Sequence, residues 1–183
     1  MADVFTSWNV LYGGNMLAAV VAPAVHMEPA GHVLFWLHFI IFLPWYPLSV
    51  YRYWKLPVAE AVRPTICILA APFNLTLAGY LTGVAHPQLW LVLVFAVIAQ
   101  LAYVFVLTRL PGILRLPFYP SYGALTFPFV IPAVAMKKLT VYLTELGYTV
   151  PAVLNGAVLL EQIVAVVMVT YVLMRYVMYL KKI

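Results

Sequence analysis

SYGALTFPFVIPAVAMKK, residues 121–138, sets Pro128 inside an apolar run, with Phe127 just before it and Pro132 four residues on. Proline lacks an amide donor, and its ring clashes with the carbonyl four residues earlier, here that of Ala124. A soluble protein relieves such a break with water. This chain has little recourse to water, because 66% of its 183 residues are hydrophobic, 8% are charged and the mean hydropathy is +1.03. Soluble domains carry about 25% charged residues. The sequence is that of a membrane protein, and whatever receives the freed backbone groups has to come from the protein itself or from a wet cavity within it.

A span needs about 20 apolar residues to cross the hydrocarbon. Charge-poor runs cover residues 8–27, 31–51, 64–85, 88–108, 118–136 and 152–179. They are too long and too uniformly apolar for barrel strands. The expected fold is an all-α polytopic membrane protein, a single membrane domain of six transmembrane helices arranged as three hairpins. The opening MADVFTSWNV has no basic segment, short apolar core and cleavage site in succession, so it reads as leading into the first span rather than as a removable signal.

Sorting the ten Lys and Arg residues by side gives the orientation. Arg52, Lys55, Arg63, Arg109, Arg115, Arg175, Lys181 and Lys182 fall on the side of both termini, and Lys137 and Lys138 on the other. Retention of positive loops in the cytoplasm puts both termini there, in a plasma or inner membrane. Although the pI is about 9.4, the charges are scattered over span ends, which argues against a nucleic-acid partner and for a lipid bilayer. Besides this topological role, Arg63 and Arg115, beside span starts, are candidates for concentrating anions at an inner vestibule. The lone Cys67 forms no internal disulfide and reads as a small packing residue. Trp8, Trp36, Trp45, Trp54 and Trp90 sit mostly toward span ends, as interfacial aromatics do.

The break at Pro128 has a counterpart. LAAPFNLTLAGY in the third span puts Pro72 at nearly the depth of Pro128 in the fifth, and both spans enter from the same side. The first span repeats this loosely, with Gly13, Gly14 and Asn15 at that depth and Pro23 nearer its outer end. Asn74, Thr76 and Thr126 lie within about a turn of the breaks, placed either to take over orphaned carbonyls or to face a permeating species. Two readings stand side by side: kinks that serve packing alone, or odd helices lining a polar path that even helices shield from lipid. Pro44 and Pro47 in the second span fit the first reading better.

RPTICILAAPFNLTLAGYL (63–81) and LRLPFYPSYGALTFPFVIPAVAMK (114–137) together resemble the tellurite-resistance and dicarboxylate transporter family, which includes malate permeases and plant slow-type anion channels. The resemblance runs from about Trp8 to Arg175. It implies a quasi-fivefold ring of five hairpins with inner odd helices around a central pore, assembled as a homotrimer of separate pores, without cofactor or catalysis. It implies cargo among malate and other dicarboxylates, halide or nitrate, and tellurite-like oxyanions. By motif match it makes Phe127 the pore gate; ordinary aromatic packing is the alternative role for that ring. Family members have about ten spans, and this sequence matches the last six. Three hairpins do not close such a ring, which leaves open a truncated member, a piece completed by another chain, or a nonconducting fragment that associates with full-length relatives.

Glu161 is the one carboxylate expected inside a span, and an intramembrane ionisable group is a functional candidate by default. It reads as a structural residue, with a proton-linked role as the alternative. His26, Glu28, His32 and His38 raise the possibility of an intramembrane metal-dependent enzyme, but their spacing suits no common ligand set and there is no HExxH pair. No metal site is expected. Transport of small anions is the preferred expectation.

Overall fold

The computed structural model describes residues 7–181; Lys182 lies outside them. Helix α1 (Trp8–Val21) ends in a 3-10 turn at Ala22–Val25, and α2 (Glu28–Lys55) returns. A 3-10 segment, Glu60–Ala70, feeds α3 (Ala71–Gly83), followed by α4 (Leu89–Leu114). A second such segment, Pro120–Leu125, feeds α5 (Phe127–Glu145), and α6 (Ala152–Leu180) completes the third hairpin. Counted with their 3-10 segments, six helices are long and apolar enough to cross a membrane, as expected for a multi-pass membrane protein. The described residues contain no strand.

The fifth span differs most from its sequence boundaries. The pair Lys137–Lys138 reads as its end at 136, yet α5 continues to Glu145. The continuation is held by Leu139 and Thr140, which are buried, and by Tyr142, whose hydroxyl donates to the Pro87 carbonyl at 2.7 Å. The two lysines therefore stand on the wall of a helix, about 12 Å before its last residue at 1.5 Å per residue, rather than in a loop. Similarly, α4 runs past residue 108 to Leu114, through Arg109 and Pro111. Helix α2 is continuous through Pro44 and Pro47.

The hairpins form an arc. Helix α3 is its centre and packs against α1, α2, α4 and α5. The third span is 83% buried and the fifth 56%, whereas the first is only 24% buried, close to the even spans. The expectation that every odd span is an inner one is thus met by the third and fifth and corrected for the first. The reason is its place: α1 stands at the end of the inner row, with α3 on one side. Outward residues of α4 and α6, such as Leu101, Val104, Val153, Val166 and Leu173, are exposed. In water these would form aggregating patches; in a bilayer they face acyl chains.

Two apolar clusters fill the arc. One joins Met16, Phe35, Leu77, Tyr80, Phe95 and Ile131 toward the end of the α1–α2 turn. The other joins Ile66, Leu69, Tyr103, Tyr122, Phe129 and Met168 around the 3-10 segments. Small residues set the approach of α1, α2 and α3 beside the first cluster. A Cβ built on Gly31 would stand 2.8 Å from the Ala22 Cβ and 3.4 Å from the Ala19 carbonyl oxygen, neither of which can swing aside. By contrast, nothing lies within 4 Å of a Cβ at Gly14. Gly31→Val is therefore expected to destabilise the purified protein by about 1–3 kcal/mol, the usual cost of overpacking. Gly14→Ala should leave its thermal midpoint in detergent unchanged or slightly raised, alanine being the better helix former. Equal midpoints for both variants would contradict this packing.

Candidate functional site

Pro72 and Pro128 do not kink running α-helices. Each is the second residue of an α-helix that starts where a 3-10 segment ends, at Ala71–Pro72 and Phe127–Pro128. Proline suits that position, because first-turn amides have no helical partner and its fixed φ is already helical. The 3-10 stretch before Pro72 is eleven residues long, whereas such runs seldom exceed about 3–4. With three residues per turn these segments are thin, and the two pack directly on each other.

The breaks leave carbonyls that the protein itself satisfies. The Ala71 amide donates to the Ile68 carbonyl, closing the 3-10 pattern at the junction. The Tyr46 hydroxyl, from α2, donates to Leu69 O at 3.1 Å. The Asn74 amide donates to Ala70 O at 2.8 Å and to Ala99 O at 3.2 Å, tying α3 to α4. Thr76 donates to Pro72 O at 2.9 Å and Thr126 to Gly123 O at 2.8 Å. The Ser121 hydroxyl donates to Ala61 O, joining the two 3-10 segments, and Tyr119 donates to the Glu60 carboxylate at 2.7 Å. That last bond holds the Tyr119 phenol above its ordinary pKa.

A cavity of about 440 Å³ lies against these junctions. Three odd spans reach it: Asn9, Gly13, Gly14 and Leu17 from the first; Thr65, Ile68, Ala71, Pro72 and Leu75 from the third; Ser121, Gly123, Ala124, Phe127 and Pro128 from the fifth. Ile68 and Ala124, the residues whose carbonyls the prolines disturb, are both in its wall. Phe127, first residue of α5, lines the cavity and is 38% exposed.

Of the residues singled out in the sequence, Gly14, Pro72, Phe127 and Pro128 come together here. Pro23 does not; it opens the Ala22–Val25 turn, far along the first span. Asn15, Asn74, Thr76 and Thr126 are not in the wall. Asn74 and Thr76 are fully buried, and with Thr126 they serve backbone carbonyls, which is one of the two roles the sequence left open for them. Arg63 and Arg115 are exposed and not part of the wall, although Arg63 precedes the lining residue Thr65 by two positions.

An even helix contributes as well. His38, Phe42 and Trp45 of α2 line the cavity, so α2 is more than a shield. His38 is buried and stacks on Phe42 at 5.7 Å between ring centroids. Beside the cavity, Trp8 stacks on the lining residue Trp45 at 5.3 Å and the Asn9 amide donates to Ser49 at 3.3 Å, joining α1 to α2. The polar lining is thus Asn9, His38, Thr65 and Ser121, none of which was expected there. A signal for His38 exists in the spacing Phe35, His38, Phe42, Ser49, one inward face of a single helix.

His26 has φ of 57° at the end of the α1–α2 turn, and it and Glu28 are exposed. Among the described residues no three of His, Cys, Asp and Glu gather as a ligand set, so the geometry offers nothing that favours the metal-enzyme alternative. No family model, no curated protein and no solved structure matches this chain.

Asn74 separates a carbonyl-satisfying role from a permeation role. Asn74→Leu keeps the volume but removes both donated bonds, including the tie from α3 to α4, at a cost of about 1–3 kcal/mol. A lowered thermal midpoint in detergent is expected. Unchanged stability together with altered solute flux would assign Asn74 to the permeation path instead.

Proposed function

We propose that this chain forms the wall of a path for small anions through a membrane, gated by Phe127. The observation that carries the reading is the convergence of three odd spans on one cavity, at the breaks of the third and fifth, with a phenylalanine side chain at it. The cavity wall is mostly apolar, with four dispersed polar side chains and without a lining carboxylate. Such a wall suits a solute that must pass through, because weak contacts allow release where a deep charged site would hold the ion. An aromatic ring across the path imposes a dewetting barrier that movement of the ring relieves.

Cargo is drawn from the anion class that the resemblance implies: dicarboxylates such as malate, halide or nitrate, and tellurite-like oxyanions. With both termini in the cytoplasm, Arg63 and Arg115 lie at the inner end, where exposed cations raise local anion concentration without binding it tightly. The arc of three hairpins walls the path on one side only. Further copies of the chain, or longer relatives, supply the remainder. Exposed apolar residues of α1 at this edge, Val10 and Leu17, also line the cavity.

Removing the ring tests the gate. In liposomes containing the assembled protein, Phe127→Ala is expected to raise efflux of nitrate, chloride or malate about tenfold, equivalent to about 1.4 kcal/mol off the barrier. Unchanged efflux from a variant of normal stability would remove Phe127 from the gate, and absence of anion efflux from both proteins would overturn the transport reading.

A further inference from the structure

Helix α6 turns Val158, Glu161, Ala165, Met168 and Val172 inward, at alternating spacings of three and four residues. Four are apolar and one is a carboxylate. Glu161 is 3% exposed and faces the Gln100 amide and the Tyr103 phenol of α4. Glu161 Oε2, Gln100 Nε2 and the Tyr103 hydroxyl make no hydrogen bond of good geometry, although the Gln100 amide stands beside the carboxyl. The group occupies the seam between the two apolar clusters, since Val158 belongs to the first and Met168 to the second.

Charges on the packed elements leave the carboxyl unneutralised. From α5, Lys137 and Lys138 line an α5–α6 groove that also takes in Gln162, and neither reaches Glu161 Oε2. On α6 itself the next cation is Arg175, set over the rings of Phe118, Tyr122 and Tyr171. Arg109 of α4 is exposed beside Phe105, and neither α4, α5 nor α6 contains a histidine. An ionised carboxylate without a counter-charge is far more costly to bury than a neutral acid. A neutral acid can also donate its O–H to the Tyr103 oxygen, which is otherwise without a partner.

We propose that Glu161, with Gln100 and Tyr103, forms a proton-binding site between α4 and α6 that holds the α5–α6 hairpin against α4. This goes beyond the anion-path reading and does not depend on it. The native fold binds a proton that the unfolded chain, with a glutamate near its ordinary pKa of about 4.3, releases at neutral pH. Linkage then makes stability fall as pH rises from that value until the native site empties.

Infrared spectroscopy of the purified full chain reads the site directly. The chain has five acidic residues, and Glu28, Glu60 and Glu145 are exposed. A protonated-carboxyl stretch at neutral pH is expected, disappearing in alkali and absent from Glu161→Gln. Tyr103→Phe should shift its frequency, which fixes the assignment even if Glu161→Gln does not fold. The fall of thermal midpoint with rising pH should flatten in Glu161→Gln. No protonated-carboxyl band in the wild type above about pH 6, a unit or two past the ordinary carboxylate pKa, would overturn the site. So would a band that survives Glu161→Gln or is unmoved by Tyr103→Phe.

Discussion

Every carbonyl and amide inside hydrocarbon needs a partner, and this structure is arranged around meeting that demand at two interrupted helices. An α-helix satisfies itself; a 3-10 segment feeding an α-helix through proline does not, and each exposed acceptor costs several kcal/mol in lipid. The side chains around the junctions answer the need one carbonyl at a time: Tyr46 for Leu69, Asn74 for Ala70, Ser121 for Ala61, Thr126 for Gly123. The two long 3-10 segments thereby lie in the most buried spans, where neighbouring helices can reach them. Burial of the third span follows from this constraint as much as from its apolar composition.

The same arrangement makes the cavity. Thin 3-10 segments packed together, glycines in α1 and prolines at the start of α3 and α5 leave little side-chain bulk on the inner surface at that depth. On the fifth span Phe127 is the exception, a large ring on the first residue of an α-helix whose neighbours along the wall are Ala124, Gly123 and Pro128; the other rings of the wall, His38, Phe42 and Trp45, come from α2.

Much of this could be read from residues alone. Six spans follow from the length and charge-poverty of the apolar runs, and the matched depth of Pro72 and Pro128 marks the junctions. The 3-10 conformation was not legible, because repeats of 3 and 3.6 residues differ too little over so short and uniformly apolar a stretch. The polar residues near the breaks were visible, but not which way they point: Asn74 and Thr76 are two residues apart, and only packing against α4 fixes the phase of α3. Lys137 and Lys138 concealed the true end of α5, since adjacent charges resemble a membrane boundary unless the tertiary contacts of Leu139 and Tyr142 are known. The place of His38 in the cavity was missed for a different reason: its residue type was judged against metal-ligand spacing instead of against the inward face formed with Phe35 and Phe42.

Thiol accessibility tests the central claim, that water reaches the junctions of the odd spans. In a background with Cys67 replaced by alanine, single cysteines at Gly14 and Ala124 should react with a small membrane-impermeant thiol reagent in native membranes. The cysteine at Leu101, on the outward face of α4, should not. Labelling of Gly14 and Ala124 no faster than of Leu101 would show that the cavity is dry, and the breaks would then serve packing alone.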